Sequence, residues 1–147
     1  MIRSCPLGGD ETEKASITHH LAGIYANQGE IDQAIALYRE VQEIDERTGN
    51  IQGKAATLHQ LAIIYANQGE IDQAIALYRE SLEITERIGD IQTKAGTLAM
   101  LGQLLAFVKG DFDTALGYLQ ESLEILQRLK SPDARIVANI MARIMDN

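Results

Sequence analysis

Cysteine and proline are nearly absent from this chain: Cys5 stands alone among the 147 residues, and there are two prolines. A single cysteine excludes an internal disulfide, so covalent bracing plays no part in the fold. Two prolines leave long helices unbroken, since proline both removes an N–H donor and clashes with the preceding turn. No run approaches the roughly 18 consecutive apolar residues of a membrane span, and the opening MIRSCPLGGD lacks the apolar core of about 7 to 15 residues that a secretory signal carries. Basic residues are also scarce, 13 against 21 acidic ones, for a net charge of −8. That balance argues against nucleic acid as a partner, because affinity for a polyanion comes from lysines and arginines neutralising phosphates. The expectation is a cytoplasmic protein without a membrane segment, whose partners are neutral or basic.

What is present is repetition. The segment from Ile24 to Glu40, IYANQGEIDQAIALYRE, recurs letter for letter from Ile64 to Glu80, forty positions later. Self-similarity at a period of roughly 20 to 50 residues marks stacked structural units. Extending the register makes Gly9, Gly49 and Gly89 equivalent, and likewise Leu21, Leu61 and Leu101, which are read as core positions. The third copy has drifted and carries one extra residue before Gly110. The units are 10–49, 50–89 and 90–130, preceded by a flexible tail at 1–9 and followed by a closing helix at 131–147.

Within a unit the pattern describes two helices. In the middle copy Asn50 caps a helix whose apolar residues Leu58, Leu61, Ile64 and Tyr65 recur at spacings of three and four. Gly69 stops it, a second stripe runs from Ile71 through Ala74, Tyr78 and Leu82 to Ile88, and Gly89 stops that one. Helices of about 16 to 18 residues would be roughly 25 Å long. Such a hairpin cannot bury both faces alone, so neighbours must cover each other. Ala34, Ala74 and Ala115 sit where the second helix crosses the first and let the backbones approach. Lys14, Lys54, Lys94 and Arg135 share a place in the first turn of successive first helices, where a cation opposes the helix dipole. Glu46 and Glu86, at the ends of the preceding second helices, are the expected partners. The dense charges of the second helices, including Arg39, Glu40, Glu43, Glu46 and Arg47, read as a solvated face with pairs along the helix.

These residues resemble the tetratricopeptide repeat. Its pattern of Leu, small residue, aromatic, Gly, Ala, aromatic and closing small residue is Leu61, Ala62, Tyr65, Gly69, Ala74, Tyr78 and Ser81 in the middle copy. Copy one supplies Leu21, Ala22, Tyr25, Gly29, Ala34, Tyr38 and Val41; copy three replaces both aromatics, with Leu105 and Leu119. The period of forty without a closing proline departs from the common form of about 34. It is similar to the units of kinesin light chains, of adaptors with Leu-Gly-Asn repeats and of sensor arms of large bacterial signalling proteins. The resemblance implies an all-α, right-handed α-solenoid of three hairpins plus a C-terminal capping helix, acting as a protein-binding module. It also implies a concave groove lined by the first helices: Ser16, His19, Gly23, Ala26 and Asn27, then Ala56, His59, Ile63, Ala66 and Asn67, then Gly96, Ala99 and Gln103. A peptide or amphipathic helix suits such a groove, with the asparagines bonding its backbone and Ile63 as an apolar anchor. The family's carboxylate clamp requires Lys and Asn where His19 and Gly23 stand, which excludes that ligand. The alternative role is a structural or oligomerising segment of a larger signalling protein with an empty groove.

Chemistry finds little support. His19 and His59 lie at equivalent positions on helices roughly 10 Å apart, too far for one ion, with no further ligand at helical spacing to complete a tetrahedral set. They read as groove residues, with His20 facing a neighbour, and no metal or cofactor is expected. Cys5 lies in the tail, no Gly-x-Ser-x-Gly elbow or phosphate loop occurs, and the Asn-Gln-Gly-Glu turns are helix stops, so no catalytic residue is nominated. From Asp133 to Asp146, Ile136, Val137, Ile140, Met141, Ile144 and Met145 form one broad stripe, with Ser131 as cap and Pro132 opening the helix. This helix should cover the third unit. Ala142 replaces the family's Leu there, so it is either a cap or the first half of a fourth unit, and in the second case a homodimer through it is expected.

Overall fold

The computed structural model describes residues 7–146, with side-chain environments from Glu11 onward. Seven helices run through the described residues without a strand: α1 (Leu7–Asn27), α2 (Ile31–Thr48), α3 (Ile51–Asn67), α4 (Ile71–Ile88), α5 (Ile91–Phe107), α6 (Phe112–Arg128) and α7 (Asp133–Met145). Residues 1–6 of the expected tail, Cys5 among them, lie outside the described residues; residues 7–9 form the first turn of α1, ahead of the expected start at Asp10.

Local signals act where the sequence places them. Asn50 Oδ1 accepts from Gly53 N at 3.1 Å, and Asp90 Oδ1 accepts from Thr93 N at 3.2 Å, each satisfying one of the free donors of a helix start. The second helices end at Gly49 and Gly89, whose φ of 78° and 75° are left-handed and free of Cβ strain only in glycine. Ser131 Oγ accepts from Asp133 N at 3.2 Å, so it caps α7 while Pro132 already has helical dihedrals.

Helices pair tightly within hairpins (α1 with α2, α3 with α4, α5 with α6), and each hairpin packs on the next through α2 with α3, α4 with α5 and α6 with α7. The result is the expected α-solenoid. Its core is one continuous cluster from Ala22 to Ile144, with a satellite of Ala15, Val41 and Ile44. Ala34, Ala74 and Ala115 are completely buried at the crossings, as are Ser81 and Ser122, which reach across to donate to the carbonyls of Ala55 (3.0 Å) and Ala95 (2.8 Å).

Three expectations are corrected. Leu61 and Leu101 are fully buried, but Leu21 is 43% exposed, together with Ile17 and Ile24 on the same side of α1. The cause is an end effect: α2 covers one flank of α1, and no described unit packs on the other. The lysine ladder is paired mainly within its own unit. Lys14 meets Glu40 at 3.6 Å, Lys54 meets Glu80 at 3.8 Å, and Lys94 meets Glu121 at 2.8 Å, all across the hairpin to equivalent glutamates. Glu46 does reach Lys54, at 3.1 Å, whereas Glu86 makes no ion pair with Lys94. Arg135, on a helix with no second helix after it among the described residues, has no ion pair among them. Finally, the charges of α2 reach outward to other helices. Arg47 Nε donates to Glu11 Oε2 at 3.0 Å, and Arg39 donates to Tyr65 Oη at 3.2 Å with its guanidinium 5.9 Å from the ring centre. One acid of α2, Asp45, is not on the solvated face at all, being 2% exposed.

The third hairpin keeps its spacing by a matched exchange. Leu119 stands where Tyr38 and Tyr78 stand in the other units, and Gly102 where they have Ala22 and Ala62. A Cβ at Gly102 would lie 2.8 Å from Leu119 Cγ and 3.2 Å from the Ala115 carbonyl oxygen, neither of which is a flexible side-chain end. The substitution Gly102→Ala is therefore expected to destabilise the fold by about 1 to 2 kcal/mol, overriding the helix-propensity gain of about 1 kcal/mol that alanine brings. Urea denaturation checks this; a stabilised variant would show that the helices separate freely.

Candidate functional site

The first helix of each unit lies on one side of the stack, where α3 touches α5 and α5 touches α7 directly. Along this face the expected groove residues are half-exposed or exposed: Ser16, Asn27 and Asn67 are open to solvent, and His19, Gly23, Ala56, His59, Ile63, Ala99 and Gln103 are partly covered, as are Ala26, Ala66 and Gly96. Seven of the thirteen border two hollows. One, of about 340 Å³ between α1 and α3, takes in Ser16, His19 and Ala56. The other, of about 580 Å³ between α5 and α7, takes in His59, Gly96, Ala99 and Gln103. Gly23, Ala26, Asn27, Ile63, Ala66 and Asn67 border neither.

The histidines explain why the hollows differ. His19 Nδ1 lies 3.3 Å from Thr57 Oγ1, and its ring meets Tyr38 edge-on at 5.3 Å. One unit further, His59 Nδ1 lies 2.8 Å from Thr97 Oγ1, and its ring meets Tyr78 at 5.6 Å. Each seam is thus bridged by a histidine from one first helix, a buried threonine from the next and a tyrosine from the intervening second helix. Carrying the register forward puts Ala99, Ala138 and Leu119 at the third seam. All three polar partners are gone together, and the larger hollow occupies that place. His20 is exposed at the edge of the smaller hollow, and its Nδ1 bonds the Ser16 carbonyl of its own helix at 2.8 Å.

Sequence reasoning missed the contribution of α7. Val137 and Ile140 line the larger hollow and, with the one-residue shift, occupy the positions of Gly96 and Ala99. The same register that located the other groove residues would have found them had α7 been read as a first helix as well as a cover. Of its stripe, Val137, Ile140 and Ile144 are buried, while Ile136 and Met145 are exposed. Asp45 on α2, Asn50 at the cap of α3 and Gly53 in its first turn line the smaller hollow as well and carried no groove signal.

Electrostatically the seams are built for neutral imidazoles. Burial holds His59 below the usual histidine range of about 6.5, and burial followed by the neighbouring His20 does the same to His19. Tyr78 Oη is buried with no hydrogen-bond partner among the described residues, and desolvation pushes its phenol up. Among the described residues no group of three or more His, Cys, Asp or Glu is placed to hold a metal ion, and no helix is long and apolar enough to cross a membrane.

The profile of the tetratricopeptide repeat family matches residues 13–87, half of the chain. No curated protein matches the sequence at a significant level. Among solved structures, BtubC (BKLC) from P. vanneervenii aligns with a TM-score of 0.78 at 23% identity, over 90% of this chain and 55% of that one. The likeness is one of fold, and this chain spans about half the length of that protein.

A histidine held neutral by burial stabilises the fold fully above the unfolded pKa, and that contribution is lost as pH falls from about 6.5 through its lower folded value. The melting temperature is therefore expected to drop between pH 7 and pH 5. His59→Ala, which installs the third unit's residue, should flatten that slope. Asp45, whose carboxyl is raised by burial, acts in the opposite sense at lower pH and cancels when the two proteins are compared. An identical slope in both would remove His59 as the source.

Proposed function

The chain belongs to the tetratricopeptide repeat family, and we propose that it is a protein-interaction module whose inner face, lined by α1, α3, α5 and α7, receives a peptide or helical segment. The observation that carries this reading is the larger hollow. The middle seam is bridged by His59 and the first, bridged by His19, keeps about 340 Å³, whereas at the third, small and apolar side chains leave about 580 Å³ unfilled beside a half-buried His59. A groove that alternates filled and open stations can seat the apolar side chains of an extended ligand at the open one and bond its backbone from the polar rim. The partner is a protein or peptide, neutral or basic in keeping with the charge of −8, and neither nucleic acid nor membrane. The module works in the cytoplasm and binds without catalysing.

The groove is tested by filling it. Peptides selected from a random display library on the folded protein are expected to bind Ala99→Trp at least about tenfold more weakly, the loss of one well-made apolar contact of about 1.4 kcal/mol or more. The helical circular dichroism and melting temperature should stay unchanged. Peptides that bind both proteins equally would place the contact surface elsewhere.

A second reading rests on α7, where Ile136 and Met145 are 57% and 65% exposed. A homodimer through this helix would bury them. Light scattering is expected to show a dimer at micromolar concentration that Ile136→Lys with Met145→Lys converts to monomer; a monomeric parent protein ends this reading.

A further inference from the structure

Asp45 is a buried carboxylate with half of its bonding capacity unused. It is 2% exposed; Oδ1 takes a long hydrogen bond from Asn50 Nδ2 at 3.3 Å, and Oδ2 has no partner among the described residues. Burial raises its carboxyl, as expected of a charge taken out of water without compensation. The fold does not require an acid at this place. The next unit puts Thr85 there, equally buried and satisfied by the Leu82 carbonyl at 3.0 Å, and the third puts Leu126.

The surroundings are shaped around the carboxylate. A Cβ on Gly53 would lie 2.8 Å from Asp45 Oδ2 and 2.5 Å from Asn50 Nδ2, so any larger residue would force both side-chain ends to shift. The corresponding residues of the other units, Glu13 and Thr93, carry side chains, and neither is matched with an acid at the position of Asp45. Asp45, Asn50 and Gly53 all line the 340 Å³ hollow, whose other polar walls are Thr12, Ser16, His19, His20 and Thr57. The χ2 torsion of aspartate is broad, so a rotation that brings Oδ2 to the hollow does not require the helix to move.

No cation of the described chain supplies the missing charge. Lys14 is engaged by Glu40, Arg39 by Gln42 and Tyr65, Arg47 by Glu11, and Lys54 by Glu46 and Glu80. Lys54 and Arg87 do share a neighbouring hollow with Asp45, but the lysine is 3.1 Å from Glu46 and neither cation pairs with Asp45. The complement must come from outside, and it must be positively charged, compact at its tip and rich in N–H donors.

We propose that the hollow between α1, α2 and α3 is a subsite for a basic side chain, lysine or arginine, of a peptide lying in the groove, with the Asp45 carboxylate as its anchor. This rests on the groove reading and adds a requirement to it: the ligand carries a cation about two units away from the residue it places in the larger hollow.

Acetyl-arginine amide and acetyl-lysine amide serve as probes, with acetyl-glutamine amide as the neutral control, in amide-resolved NMR titrations of the full chain. At least one basic probe is expected to give saturable shifts at Asp45, Gly53 and Thr57 that the control does not. Asp45→Thr, the residue of the next unit, should remain folded and weaken that binding at least about tenfold, and Asp45→Asn, which keeps the shape, should do the same. Absence of shifts at those amides, equal shifts with the neutral control, or equal affinity in both variants would overturn the proposal. The display-selected peptides separate the two readings. Peptides that bind the groove but tolerate both Asp45→Thr and replacement of their own basic residues would sink the cation subsite and spare the groove. Basic probes that bind at Asp45 while no peptide is blocked by Ala99→Trp would do the reverse.

Discussion

Everything in this molecule depends on each hairpin being shielded by the next. A pair of helices 17 and 18 residues long has two apolar flanks and can hide only one of them against itself. Stacking hides the other, which is why Leu61 and Leu101 are fully buried and Leu21, at the end of the stack, is not. The close approach needed for that shielding is secured by alanines at the crossings and by Ser81 and Ser122 bonding backbone across them. Ion pairs such as Lys94 with Glu121 lie at the margin, partly exposed, where each contributes about 1 kcal/mol or less.

Against this uniform frame the seams are unlike one another. The first two are bridged by histidine, threonine and tyrosine; the third has exchanged all three for apolar residues, and its Leu119 is accommodated by Gly102. The first alone contains a buried acid with a glycine cut away beside it. Differences of this kind, in copies otherwise nearly identical, are where ligand choice can reside, because the residues common to all units are already committed to packing.

The period, the hairpins, the stops at Gly69 and Gly89, the cap at Asn50 and the small residues at the crossings were legible in the sequence because each follows from local backbone preference or from spacing along one helix. What was not legible depends on which residue lies across a seam. Leu21 looked identical to Leu61, yet burial depends on a neighbour rather than on the residue. The lysine ladder was visible, but whether its partner is the glutamate of the preceding unit or of the same hairpin turns on the crossing angle of two helices. Asp45 sat in a run of charges that reads as solvated, and only its angular position on α2, at the seam, buries it. The groove positions on α7 followed from the same register as the others; the one-residue insertion before Gly110 and the missing leucine at Ala142 concealed them.

The identity of the two copied segments also bears on how such a chain changes length. Removing residues 24–63 would join Gly23 to Ile64 and restore the wording of one unit without a scar. His19 would then meet Tyr78 and Thr97, the same ring and hydroxyl that His59 uses now. Loss or gain of a whole storey therefore leaves every remaining joint chemically complete. A unit more or less thus changes the reach of the stack and the span of ligand it can meet, while foldability is conserved.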